Sequence, residues 1–125
     1  MLLFHGIPET HLMWHRVAPR LAERFTVVAT DLRGFGDSGT PPTTPDHAPY
    51  SMREIARDQV EVMDALGYNQ FHVVGHDCGA RCAYRMAHDH PQVILGSAIP
   101  EAGWLVCHFS LSVRVIRMND AIPPK

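Results

Sequence analysis

Apolar positions along this chain follow two rhythms. Short runs of apolar or β-branched residues at Met1–Phe4, Thr26–Thr30 and Phe71–Val74 read as buried strands. Between them, apolar residues recur every three or four positions. His11–Arg24 carries Leu12, Val17 and Leu21, with Phe25 just beyond, a loose helix interrupted by Pro19. Ser51–Leu66 is the clearest helix. Ser51 and Glu54 form a capping box, Ile55, Gln59 or Val60, Met63 and Leu66 make one stripe, and Gly67 takes the position just past the end. A further helix is expected from Gly79 to about His88, closed by His90-Pro91, and a further strand over Val93–Ile99. Strands and helices alternating at this spacing predict parallel pairing through right-handed crossovers, so the expected fold class is α/β.

The connecting segments carry their own signals. Asp31–Gly39 holds three glycines and reads as a loop, within which Arg33 and Asp37 are expected to pair or hydrogen-bond. Thr40–Tyr50 holds four prolines and is expected to run irregularly over the surface. The chain therefore divides into a core over 1–99 and an aperiodic tail over 100–125.

Composition narrows the classes. With 125 residues, 46% hydrophobic and 19% charged, the chain suits one compact domain and is too apolar for intrinsic disorder. A formal net charge of −2 gives no electrostatic footprint for nucleic acid or an anionic membrane, and no apolar run approaches the length of a membrane span. The N-terminus has neither the basic nor the apolar region of a secretory signal. Three cysteines, Cys78, Cys82 and Cys107, are too few for a disulfide framework and favour a reducing, cytoplasmic setting.

The sharpest chemical feature is Gly75-His76-Asp77-Cys78-Gly79, set between a strand and a helix. Small residues on both sides of a polar one permit a tight strand-to-helix turn that lifts the middle side chain off the sheet. A carboxylate presented there can attack a saturated carbon and form an ester. The alternative is that Asp77 simply N-caps the next helix, which aspartate does well. His5-Gly6-Ile7-Pro8 follows the first strand directly, so a backbone N–H there, with that of Cys78, can form an oxyanion hole.

Three ordered segments now resemble a known family. His5-Gly6-Ile7-Pro8-Glu9-Thr10, Asp31-Leu32-Arg33-Gly34-Phe35-Gly36-Asp37-Ser38-Gly39 and Gly75-His76-Asp77-Cys78-Gly79-Ala80-Arg81 look like α/β-hydrolase blocks, each at the end of a strand. They are most similar to those of haloacetate dehalogenases, with epoxide hydrolases and haloalkane dehalogenases next. The resemblance implies a partial α/β-hydrolase fold in which Asp77 is the nucleophile, Ile7 and Cys78 donate backbone N–H groups, and Arg81 binds a substrate carboxylate. The substrate would be a small haloacid or epoxide. Family members carry arginine where Cys78 stands, so one cation of a two-arginine clamp is replaced.

The resemblance further implies a histidine, oriented by an acid, that activates water against the ester. Glu101 is the candidate acid, with a plain surface glutamate as the alternative. The histidine and a helical cap lie further along in the family than Lys125, so the chain reads as an incomplete version of such a hydrolase. A non-catalytic remnant, either unfolded or held by another subunit, such as a second copy, that completes the sheet, is the competing class. No cofactor is implied, because the chemistry needs only water and a carboxylate. His11 and His15 stand four apart, as metal-binding pairs do, but no third ligand stands out and no metal is expected. Cys78 and Cys82 read as buried thiols, and a cysteine nucleophile at Cys78 would sit one residue off the apex of the turn.

Overall fold

The computed structural model describes residues 1–98 and the strand backbone at Pro100–Glu101 and Trp104–Leu105. Strands β1 (Leu2–Phe4), β2 (Val28–Thr30), β3 (Phe71–Gly75) and β4 (Ile94–Ala98) form one sheet in the order β2-β1-β3-β4, with every pairing parallel. Leu2 stands beside Val28 on one side and Val73 on the other, so β1 is central, and its three residues are fully buried. The α/β class and the parallel crossovers are as expected. β2 is shorter than expected and only half-buried, because it is the sheet's edge among the described residues.

Helices α2 (Met52–Ala65) and α3 (Cys78–Asp89) pack against each other and over one face of the sheet. On β3 the alternation shows which face that is: Phe71 and Val73 are buried, while His72 and Val74 on the other face are half-buried. Phe4, Met63, Phe71, Val73, Cys82 and Met86 anchor the resulting core. Burying these side chains is worth roughly 1.5–3 kcal/mol each for the larger ones, which holds both helices to the strands.

Three expectations along the helices need correction. His11–Arg24 splits into a 3₁₀ helix, His11–Arg16, and the short helix α1 (Ala18–Ala22). Pro19 sits in the first turn of α1, where its missing N–H leaves no bond unmade, so it starts a helix instead of interrupting one. In α2 the Ser51 hydroxyl accepts the Glu54 N–H at 3.4 Å, but the reciprocal half of the box is absent. The Ser51 N–H goes to the Ala48 carbonyl at 3.1 Å, and the Glu54 carboxylate pairs with Arg57 at 2.5 Å. The buried stripe is Ile55, Gln59 and Met63, whereas Leu66 is 53% exposed. Gln59 is buried because its Oε1 accepts the Thr30 hydroxyl at 2.6 Å, tying α2 to β2. Gly67 takes the position past the helix end as expected, at φ +84°.

Arg33 is the fourth correction. It does not pair with Asp37 inside the loop but reaches Asp58 on α2, with Nε at 2.7 Å and Nη2 at 2.5 Å, and donates from Nη1 to the Pro49 carbonyl at 2.6 Å. The planar guanidinium fork matches a carboxylate two bonds at a time, and Asp58 offers that geometry across the gap. Beyond β4, Pro100–Glu101 (β5) and Trp104–Leu105 (β6) pair as a two-residue antiparallel ribbon within the segment expected to be aperiodic.

Candidate active site

The turn from β3 into α3 is built by its small residues. A Cβ on Gly79 would lie 2.5 Å from the His5 carbonyl oxygen, so only glycine lets α3 start this close to the end of β1. Two backbone bonds then lock the approach, from the His76 N–H to the Phe4 carbonyl at 3.1 Å and from the Gly79 N–H to the His5 carbonyl at 3.0 Å. Asp77, at the apex, has φ 49° and ψ −113°, a conformation that L-residues seldom adopt. Its side chain is exposed.

Asp77 does not cap its own helix, as the alternative reading of the sequence required. Its Oδ2 instead accepts the Ile7 N–H at 3.0 Å, across from the loop that follows β1. The N–H groups of Ile7 and then Cys78, against a weaker opposing effect of burial, hold the Asp77 carboxyl below the usual carboxylate range. The charges of Arg81 and His76 add smaller pulls in the same direction. Gly6 is needed for this approach, because a Cβ there would lie 2.9 Å from the Cβ of Asp77. The structure thus brings Asp77, Ile7 and Cys78 together at one point.

Arg81 lies one turn into α3, where its N–H reaches the Asp77 carbonyl at 3.3 Å. Its guanidinium is exposed and has no carboxylate in ion-pair range among the described residues. Cys78 is 8% exposed and belongs to the core, and burial, then the Asp77 charge, push its thiol up. Burial pushes the Cys82 thiol up to about 12. Both are buried free thiols, and a protonated Cys78 is a poor nucleophile. Glu101 contributes backbone to β5, opposite Trp104; its side chain lies outside the described residues, as do Cys107 and His108.

Residues to which the sequence assigns no role complete the surroundings. Asp31, at the start of the glycine-containing loop, accepts the His11 N–H at 2.6 Å, the His11 Nδ1–H at 2.9 Å and the Asp37 N–H at 3.1 Å. The His5 ring is wholly buried between the Gly6 carbonyl and the Leu32 N–H. Glu9 and His76 approach to 3.4 Å beside Gly6. A histidine next to Gly6, and an aspartate at a strand end, are the available signals. His11 is engaged with Asp31 and His15 with the Leu12 carbonyl, so the two do not share a ligand. Among the described residues no group of three or more His, Cys, Asp or Glu side chains converges as a metal site, and no helix is long and apolar enough to cross a membrane. A cleft of about 580 Å³ runs beside β2 and is lined by His11, Thr30, Asp31 and the Arg33–Asp58 pair; it does not include Asp77.

Comparison with known proteins places these features in context. Residues 1–104 match the family model for the alpha/beta hydrolase fold. A fluoroacetate dehalogenase from a Burkholderia species is 54% identical over 99 residues, which is 79% of this chain and 33% of that protein. The soluble epoxide hydrolase of Corynebacterium sp. strain C12 is 40% identical over 94 residues, covering 75% of this chain and 31% of its own length. A crystal structure of an alpha/beta hydrolase from Nostoc sp. PCC 7120 superposes with a TM-score of 0.78 at 61% identity, over 78% of this chain and 34% of that one. The chain spans about one third of the length of the relatives it matches.

Proposed function

The chain belongs to the alpha/beta hydrolase family, and on that premise we propose that Asp77 is the nucleophile of a hydrolase acting on small molecules with a leaving group on saturated carbon, a haloacetate first. The observation that carries this reading is the exposed Asp77 carboxylate at a left-handed apex, with the Ile7 N–H on its Oδ2 at 3.0 Å. The carboxylate oxygen free of Ile7 attacks the carbon bearing the halogen. A C–O bond forms as the carbon–halogen bond breaks, and halide leaves with the electron pair. Because the carboxyl is held low, it is ionised and ready throughout the neutral range.

Water then attacks Cγ of the ester. Negative charge grows on the carboxyl oxygen that accepts the Ile7 N–H, with the Cys78 N–H as the proposed second donor, so a donor is in place before the charge appears. The water proton passes to the histidine that the family resemblance implies, with Glu101 as the proposed acid that orients it; the adduct then collapses, the Cγ–O bond to the former substrate carbon breaks, and the departing alkoxide takes that proton back. Arg81 binds the substrate carboxylate. With Cys78 in the neighbouring position, one charge-assisted contact is missing, worth ~1.5–3 kcal/mol of binding. The site therefore binds a carboxylate through one cation, needs no cofactor, and works on a dissolved small molecule in a reducing, cytoplasmic setting.

A second reading is favoured by the Corynebacterium epoxide hydrolase, which matches over much the same stretch. There the same carboxylate opens the three-membered ring, leaving an alkoxide that takes a proton from solvent or a neighbouring acid. Intact-mass spectrometry after incubation with fluoroacetate, chloroacetate or a simple epoxide separates these. A covalent adduct with a haloacid that Asp77→Ala cannot form supports the first reading; an adduct with the epoxide alone supports the second. Neither an adduct nor released halide or diol with any of the three, in a folded chain, overturns the nucleophile.

A further inference from the structure

The Ile7 N–H that meets Asp77 belongs to the same planar peptide unit as the Gly6 carbonyl, and the two point in opposite directions. Whatever holds the Gly6 carbonyl therefore aims the Ile7 N–H. Two donors hold it: the Glu9 N–H at 3.0 Å and the Nδ1 of His5 at 2.8 Å. The second bond defines the ring. A carbonyl only accepts, so Nδ1 carries the hydrogen. On the ring's other side the Leu32 N–H, which only donates, lies 3.0 Å from Nε2, so Nε2 is bare. Both bonding neighbours demand one tautomer, and the Asp31 carboxylate, with Oδ1 3.9 Å from Nε2, lies beyond hydrogen-bond reach. The ring has no solvent exposure and is further held edge-on against Phe35, with centroids 5.2 Å apart. The carbonyl of His5 itself accepts the Gly79 N–H at 3.0 Å, so one residue touches the loop after β1, the segment after β2 and the start of α3.

We infer that His5 is a positioning residue: its Nδ1–H tautomer fixes the Gly6–Ile7 peptide so that the Ile7 N–H faces the Asp77 carboxylate. Glycine at position 6 makes the constraint necessary, since that residue can turn its peptide over at little steric cost. The inference deepens the reading of Asp77 as nucleophile and rests on it for its catalytic meaning, but the positioning itself is measurable without any substrate.

The first measurement is the ring nitrogen correlation of His5 by ¹H–¹⁵N NMR in the full wild-type chain. A protonated Nδ1 with a bare Nε2 supports the inference; the opposite tautomer overturns it, whether or not any variant folds. The second uses two substitutions that each keep one half of the ring's bonding. His5→Asn places an amide N–H near the position of Nδ1, whereas His5→Gln keeps an acceptor near Nε2 and loses the donor to Gly6. The expected result is that His5→Gln moves the Asp77 carboxyl titration, read by ¹³C NMR, up toward the ordinary range and shifts the Ile7 amide resonance. His5→Asn leaves both near wild type. Decay of the ester that chloroacetate leaves on Asp77, the step in which negative charge returns to the carboxyl oxygen facing Ile7, should slow ~10-fold in His5→Gln and recover in His5→Asn, the size expected for one lost hydrogen bond to a charged group. Unchanged Asp77 titration and Ile7 resonance in a folded His5→Gln overturn the positioning. A wild-type chain that shows the titration but forms no adduct and releases no halide instead counts against Asp77 as nucleophile.

Discussion

Asp77 and Asp31 occupy matching places and have opposite fates. Each follows the C-terminal end of a parallel strand, and each accepts a backbone N–H from the segment after β1, Ile7 for one and His11 for the other. Asp31 has a side chain only 4% exposed and takes three donors, from the His11 backbone, the His11 ring and the Asp37 backbone. Burial pushes its carboxyl up, but those donors together outweigh burial and hold it below the usual range. Asp77 is exposed, takes the Ile7 N–H on its Oδ2, and sits at φ 49°. A buried carboxylate with its lone pairs occupied is a bolt. One with a free oxygen facing solvent can react.

The largest contrast should come from removing each in turn. Asp77→Ala is expected to abolish covalent modification completely while leaving the urea unfolding midpoint almost unmoved. Asp31→Ala should do the reverse in kind: it strands buried donors and costs about 3 kcal/mol of stability, read as a lower urea midpoint. A large loss of stability in Asp77→Ala would break the comparison.

Acid unfolding sharpens it next. The Asp31 carboxyl lies lower in the folded state than the ~3.9 of an unfolded chain. Its stabilisation is therefore complete above that value and lost as the pH falls through the folded one. Asp89, held down to about 2 by His88 and Arg85, behaves the same way. Stability should accordingly fall between about pH 4 and about pH 2 in wild type, and less steeply in Asp31→Ala, measured by urea titrations across that window. A smaller effect is expected for His11→Ala, which removes the ring bond to Asp31 but keeps the backbone one, at about 1 kcal/mol. Smallest is the change in the Asp77 titration in Arg81→Gln, which should rise only slightly, since Arg81 is a minor contributor; the same variant should slow chloroacetate more than a neutral epoxide.

Much of the fold is legible along the chain. Runs such as Phe71–Val74 and the period of Ile55, Gln59 and Met63 register burial directly, because a strand between two helices and the inner face of a helix must both be apolar or satisfied. The turn from β3 into α3 is legible too, since Gly75 and Gly79 flank Asp77 at the spacing a tight turn needs. The failures share one cause. Pro19 looks like a breaker along the chain because its place in the first turn depends on where α1 begins. Arg33 has a local partner in prospect because Asp58 is distant in sequence and adjacent only in space. Asp31 and His5 leave no sequence signal because their bonds are largely to backbone groups, which every residue offers alike.

The sequence by itself determined the α/β class, the order of the elements and the placing of a carboxylate between small residues. Those follow from local rules: hydrophobic period, glycine at close approaches, and the chemistry of side chains. The tertiary structure decided which of two carboxylates is free to react, because that depends on which N–H groups from distant strands arrive at each. It also decided that His5 faces inward between Gly6 and Leu32. Burial and hydrogen-bond direction are properties of three segments brought together, and no one of those segments carries them alone.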